Sequence, residues 1–183
     1  MKIQPKEVTL KNGIKTFLRS AVPSDAEAML NHLRTTHREA YRNLNQPPTY
    51  WNGFSAEAEE KILADFESSP SKLMLVAVVD GAIVGGLGMV GMQGDFIKHN
   101  ASLGMSIQQR FCNTGLGTEM IKHALEVGQK VGFSRVSLTV RTHNISGIAL
   151  YEKVGFQKIG LLKEAALIDG QYMDEYSYEI ILR

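Results

Sequence analysis

The sequence predicts one α+β domain over residues 1–183, in which an antiparallel meander comes first and a strand-helix-strand unit follows. Three observations carry that reading. Tight-turn dipeptides, Asn12-Gly13, Asp80-Gly81 and Asp169-Gly170, sit between runs rich in β-branched and aromatic residues. Other stretches repeat their apolar residues at helical spacing. No repeat, low-complexity tract or linker divides the chain. The count is about seven strands in a mixed, mostly antiparallel sheet flanked by about four helices.

The elements follow in order. "VTLKNGIKTFLRS" is a hairpin turning at Asn12-Gly13, where positive φ is tolerated. In "VPSDAEAMLNHLRTTHREA", Ser24 or Asp25 can cap a first helix whose Ala26, Met29, Leu30 and Leu33 share one stripe. "YRNLNQPPTYWNGFS" breaks that period with its prolines and carries Tyr41, Tyr50 and Trp51, as a pocket-shaping connection does. Ser55 caps the second helix, "AEAEEKILADFES". "KLMLVAVVDGAIVGGLGMVG" supplies two strands, the first apolar enough for burial on both faces, and its methionines read as core filling. "HNASLGMSI" adds a strand in which Gly104 fits a bulge. Then come a glycine turn, a helix to about Val131, the strand "SRVSLTVRT" and the helix "ISGIALYEKV". "FQKIGLLKEAALI" and "YMDEYSYEIIL" close the chain as a hairpin.

Composition narrows the function. A formal net charge of +1 favours no polyanionic partner, so nucleic acid is not suggested. A single cysteine, Cys112, excludes an internal disulfide, and no Cys/His cluster has zinc-ligand spacing, so no metal is expected. "MKIQPKEVTLKNGIKTF" lacks the apolar core of a signal peptide, and nowhere do about 18 apolar residues run together. A cytoplasmic protein with no membrane partner is the expectation.

The turn in "QRFCNTGLGTEMIKHAL" opens a helix, where free N–H groups and the positive end of the helix dipole both face an anion. A P-loop needs a lysine and then a hydroxyl residue after the second glycine; Thr118 follows Gly117 with no lysine between. A dinucleotide fingerprint wants a third small residue where Met120 stands. Both are rejected. What remains is a short G-x-G turn, which by itself suits any anion.

"IQQRFCNTGLGT", with "VRTHNISGIALYEKVGF" after it in the same strand-helix-strand setting, resembles the acetyl-CoA site of the Gcn5-related N-acetyltransferases (GNAT). The likeness runs from Val76 to about Ile181. "DGQYMDEYSYEI" is similar to the closing hairpin of a bacterial subgroup acting on small amines or peptide N-termini. The resemblance implies a splayed strand pair that holds CoA against Met105 and Ile107, with an N–H near Met105 as oxyanion donor. It implies a pyrophosphate cradle from Cys112, Asn113, Thr114, Gly115, Leu116, Gly117 and Thr118. Cys112 stands where the family has Gln or Arg, so somewhat weaker CoA binding or a compensating contact is expected, and Cys112 itself reads as a small buried residue. Asn144 matches the asparagine that bonds pantetheine or caps the next helix. Tyr151 matches the tyrosine that reaches the CoA sulfur, and a phenol can protonate a departing thiolate.

The base is less marked. Many relatives carry a glutamate where this chain has Ser102, and a serine cannot do that work alone. His99 and Glu175 are the candidates, His99 because an imidazole titrates near neutrality. Asp95, Asp174 and Glu175 could instead bind a cationic amine. His123 is expected on the exposed side of its helix, and His143 at a strand end. The function implied is acetyl transfer from acetyl-CoA to a primary amine of a small molecule or peptide, by direct attack in a ternary complex. Two alternatives stand beside it: a different acyl-CoA, with the "GLGMVG" strand and Trp51 loop deciding the room, and a non-catalytic CoA-binding sensor. A homodimer through the late strands is a further expectation from the family.

Overall fold

Three hairpins form where the dipeptides place them. In the computed structural model, which describes residues 1–182, β1 (Lys6–Thr9) and β2 (Lys15–Ser20) turn through Gly13 at φ 82°. β3 (Lys72–Val79) and β4 (Ala82–Gly91) turn through Asp80 and Gly81 at φ 48° and 79°. β7 (Gln157–Ile168) and β8 (Gln171–Ile181) turn through Asp169 and Gly170 at φ 52° and 75°. Asp and Gly are the residues that bear this left-handed backbone at least cost. With β5 (Asn100–Ile107) and β6 (Arg135–Arg141) they make one eight-stranded sheet, ordered β1-β2-β3-β4-β5-β6-β8-β7. The count is eight rather than about seven, with short β1 on the sheet edge beside β2.

Every neighbouring pair is antiparallel except β5 and β6, which the crossover through α3 (Leu116–Lys130) makes parallel. The other helices are α1 (Ala26–Ala40), α2 (Ala56–Ser68) and α4 (Ile145–Val154). Alternate side chains of a strand point to opposite faces, and the two cores follow that rule. Leu75, Ala77 and Val84 pack with Met120, Ile121 and Ala124 of α3, whereas Val76 and Ile83 pack with Met29 of α1 and Leu63 of α2. The helices therefore cover the sheet in pairs, α3 and α4 on one face, α1 and α2 on the other. None of the described helices is long and apolar enough to cross a membrane.

Caps and bulges differ in part from expectation. Ser55 caps α2 by accepting from the Ala58 amide at 3.2 Å. Asp25 does not cap α1: its carboxylate accepts from the Val22 amide at 2.9 Å and takes a two-pronged bond from Arg19 at 2.6 and 2.8 Å. These bonds outweigh burial and hold the carboxyl below its ordinary range. Gly104 makes no bulge, since β4 and β5 stay in register from Gly91 opposite Ala101 to Gly85 opposite Ile107. The irregular partner is β6, which pairs with β5 only over Asn100 to Ser102 and then leaves it. Beyond that point β6 follows β8 as far as Arg141 opposite Glu175. The sheet is thus opened between two strands that each keep their outer neighbour.

Candidate active site

A cavity of about 600 Å³ occupies this opening. Leu103 to Ile107 of β5 form one wall and Thr139 to Arg141 of β6 the other. Leu103, Met105 and Ile107 belong to the α3-side core, so Gly104 and Ser106 turn toward α1. A Cβ placed on Gly104 would meet nothing within 4 Å, so this glycine leaves open space beside the gap.

The glycine turn forms one end. Asn113 has φ 62° and Gly115 φ 92°, two left-handed residues that bring successive amides to the start of α3. Helix α3 begins at Leu116 with no side-chain cap on its first amides, which leaves these donors to a ligand or water. Cys112, Asn113, Gly115, Gly117 and Thr118 line the cavity; Thr114 instead binds the backbone, its hydroxyl donating to the Phe111 carbonyl at 2.7 Å. Leu116 is fully buried and serves the core. A Cβ on Gly117 would lie 2.7 Å from Leu150 Cδ2 and 3.3 Å from Ile107 Cδ1, so this glycine permits α4 and β5 to approach α3.

Cys112 is exposed, not buried as the sequence suggested, because it follows the short 3-10 turn Gln109–Phe111 and faces the cavity. Desolvation and the Glu39 charge raise its thiol, so it is a poor thiolate. A cation that no motif marked stands near this turn. The Lys11 amide donates to the Thr114 carbonyl at 2.9 Å, and its side-chain carbons would lie 3.6 to 3.9 Å from a Cβ on Gly115. Lys11 and Lys153 line both this cavity and a smaller one of about 250 Å³ beside it, which Lys122 also lines. The β1–β2 turn lies too far from "CNTGLGT" in sequence for any motif to have joined them.

Tyr151 lies on the cavity wall, 8% exposed, with Phe156 edge-on at 5.9 Å between ring centroids. Burial alone pushes its phenol up to about 12, so the hydroxyl keeps its proton throughout the physiological range. Asn144 lines the cavity and caps α4, its Oδ1 accepting from the Gly147 amide at 3.0 Å and the Ser146 hydroxyl at 3.2 Å.

The acceptor side departs most from expectation. His99 precedes β5 at the closed end of the strand, exposed, and is not a lining residue; five residues of strand, roughly 16 Å, separate it from Gly104. Glu175 does line the cavity, buried, with its carboxylate held by the Arg141 guanidinium. Arg141 is itself 4% exposed and donates to Asn45 Oδ1 at 3.2 Å, while its Nε has no partner among the described residues. Asp174 is committed to structure, accepting from the Glu164 amide at 2.8 Å where β7 bulges, and Asp95 faces solvent beside Lys98.

Trp51 does not reach the cavity. Its ring packs edge-on against His37 at 5.5 Å and Tyr50 at 4.9 Å, which fastens the connection to α1. The lining comes from the earlier part, Asn43 to Asn45, and the "GLGMVG" stretch of β4 contributes none. His123 is half-buried rather than on an exposed face, and burial lowers its pKa.

An open sheet that parts between two parallel strands, with a glycine turn at the mouth and a buried tyrosine on the next helix, defines an acyl-transferring α+β protein. The chain belongs to the acetyltransferase (GNAT) family, whose model matches residues 30–156. It is an N-acetyltransferase. It is 31% identical over 158 residues to the L-amino acid N-acetyltransferase AaaT of Escherichia coli (strain K12), covering 82% of this chain and 96% of that protein. A GNAT-family acetyltransferase from Streptococcus pneumoniae superposes with a TM-score of 0.85 at 27% identity, over 92% of this chain and 99% of its own. Mycobacterium smegmatis RimJ, solved with CoA-disulfide, shares the fold at a TM-score of 0.80 and 20% identity, over 97% and 86% of the two chains.

Proposed function

We propose that this enzyme transfers the acetyl group of acetyl-CoA to the primary amine of a free amino acid or a peptide N-terminus, by direct attack while both substrates are bound. One observation carries the reading: a single cavity joins the unpaired inner edges of β5 and β6, the amides at the start of α3, and the Tyr151 hydroxyl. The residues fit acetyl-CoA, which when bound supplies an activated thioester. Donors at Asn113 to Thr118, with Lys11 and Lys153 beside them, suit its phosphates. The free edge of β5 suits its pantetheine, and the N–H near Met105 the oxygen on which charge develops. Asn144 lies where it can reach the same arm.

Tyr151 is then the acid for the sulfur, a role that requires a protonated phenol and receives one. Glu175 offers the acceptor a negative charge on the far wall, with Arg141 beside it as a partner for an anionic group. A site with both signs suits a zwitterion or a peptide end. The name of the Escherichia coli relative, an L-amino acid N-acetyltransferase, supports that class of acceptor.

The test is calorimetry with CoA followed by thiol release from acetyl-CoA across the common L-amino acids and short peptides. Binding of CoA and turnover with one of these amines is expected. Binding without turnover across the whole panel would overturn this reading in favour of a CoA sensor or a different acyl-CoA.

A further inference from the structure

The proposed reaction must take a proton from the acceptor amine, and the β5 face turned toward α1 carries no carboxylate: its residues are Asn100, Ser102, Gly104 and Ser106. Behind Ser106 stands a group that no sequence motif marked. His32 of α1 is 1% exposed, and its Nε2 lies 2.9 Å from the Ser106 Oγ, which lines the cavity. Its Nδ1 is buried with no partner among the described residues. Buried polar atoms are usually hydrogen-bonded, and an apolar residue would fill the place with no orphaned atom, so the bond to a cavity-lining serine is what sets this histidine apart.

The surroundings make room for this ring. A Cβ on Gly86 of β4, directly opposite Ser106 in register, would lie 3.5 Å from His32 Nε2. Glycine there lets the imidazole rest against the strand. Thr36 and Ala40 follow His32 at four-residue intervals and both line the cavity, so this stripe of α1 forms the wall that faces β5. The strand side of the cavity and its helix side meet at the His32–Ser106 bond.

We propose that Ser106 is the proton acceptor for the attacking amine and that His32 acts through it as the positioning residue, the two forming a relay from the cavity into the α1 face. As the amine nitrogen bonds to the acetyl carbon, its N–H proton passes to Ser106 Oγ while the Ser106 hydroxyl proton passes to His32 Nε2. After the product leaves, the same path returns the proton to water. No electrons are exchanged, and no further reactant is needed.

Burial lowers the His32 pKa to about 4 against the opposing effect of the Ser106 bond, and the one titratable neighbour bearing on it, His37, lowers it further only when protonated, a form that its own burial disfavours. The ring is therefore neutral at physiological pH, with its lone pair available. Such a weak base takes a proton only from the strongly acidic N–H formed once the amine lone pair is committed to carbon, and it gives the proton back readily. The productive tautomer carries hydrogen on Nδ1 and accepts from Ser106 at Nε2.

The inference rests on the proposed N-acetylation, and one assay separates the two. Acetyl-CoA turnover is measured for wild type, Ser106→Ala, Ser106→Thr and His32→Gln with the L-amino acid that wild type acetylates fastest. Ser106→Ala is expected to lower kcat by about tenfold to a hundredfold, with the KM for acetyl-CoA within about twofold. Ser106→Thr, which restores a hydroxyl, should recover most of the rate, and His32→Gln should match the alanine variant with an unchanged melting temperature for both. Unchanged kcat in Ser106→Ala overturns the relay while leaving the acetyltransferase reading intact. Wild type inactive on every amine overturns both. If His32→Gln fails to fold, the alanine and threonine pair still decides the matter.

Discussion

The two walls of the cavity are built by different means. The wall proposed for the cofactor comes from nearly continuous chain, Met105 and Ile107, the turn Cys112 to Thr118 and Asn144 to Lys153, and works largely through backbone: an unpaired strand edge, two left-handed residues and the first turn of α3. The wall proposed for the acceptor is assembled from Thr36, Asn43 to Asn45, Ser106, Arg141 and Glu175, with His32 behind Ser106, and works through side chains. Backbone donors do not depend on side chains, so the turn can present its amides with Cys112 at its start. A wall of side chains has no such tolerance.

That contrast can be broken at its strongest point first. Glu175→Ala leaves Arg141 buried without its ion-pair partner, and a loss of about 3–5 kcal/mol of stability is expected by urea unfolding. A loss below about 1 kcal/mol would show that water already reaches the pair. On the cofactor wall, Ala149→Trp places a large ring in the cavity from an exposed position on α4. CoA affinity should fall at least about a hundredfold in calorimetry with the melting temperature preserved. An unchanged affinity would move CoA out of this cavity.

Tyr151→Phe sharpens the comparison, because it removes one proton from a wall that is otherwise backbone. About a hundredfold loss in kcat is expected with little change in CoA binding. The pH profile follows from the same burial: the phenol is raised to about 12, so the acid form persists as pH rises, and kcat should show no alkaline loss from Tyr151 below about pH 11. An alkaline limb near pH 9 that vanishes in Tyr151→Phe would contradict the burial. The smallest effect belongs to Lys11→Ala, a single exposed cation against phosphate. The Kd for CoA should rise about threefold to fivefold at low salt and converge with wild type at high salt.

Much of the cofactor wall was legible because its determinants are local. Gly115 at φ 92° and Asn113 at φ 62° are residues that accept left-handed backbone, and the sequence "CNTGLGT" announces the turn without tertiary context. Tyr151 and Asn144 stand within one helix of each other, and the cap that Asn144 makes is a neighbour interaction. The acceptor wall was not legible. His99 looked suitable by type, yet β5 carries it to the closed end of the sheet. His32 looked like one polar residue among several on α1, since its stripe, spaced by four with Thr36 and Ala40, faces a cavity whose existence the helix does not encode. Gly104 suggested a bulge in β5, whereas the distortion lies in its partner, because β6 has Arg141 paired with Glu175 on its other side and follows β8.

By itself the sequence determined the hairpin turns, the order of helices and strands, the glycine turn and the family, all of which depend on residues close together along the chain. Tertiary structure alone decided where β5 and β6 part, which lysine stands beside Gly115, and that His32 meets Ser106 across 74 positions of sequence. The physical reason is one of range: backbone conformation and helix capping are set by near neighbours, while the chemistry of a cavity is set by whichever side chains a sheet and its covering helices bring to the same opening.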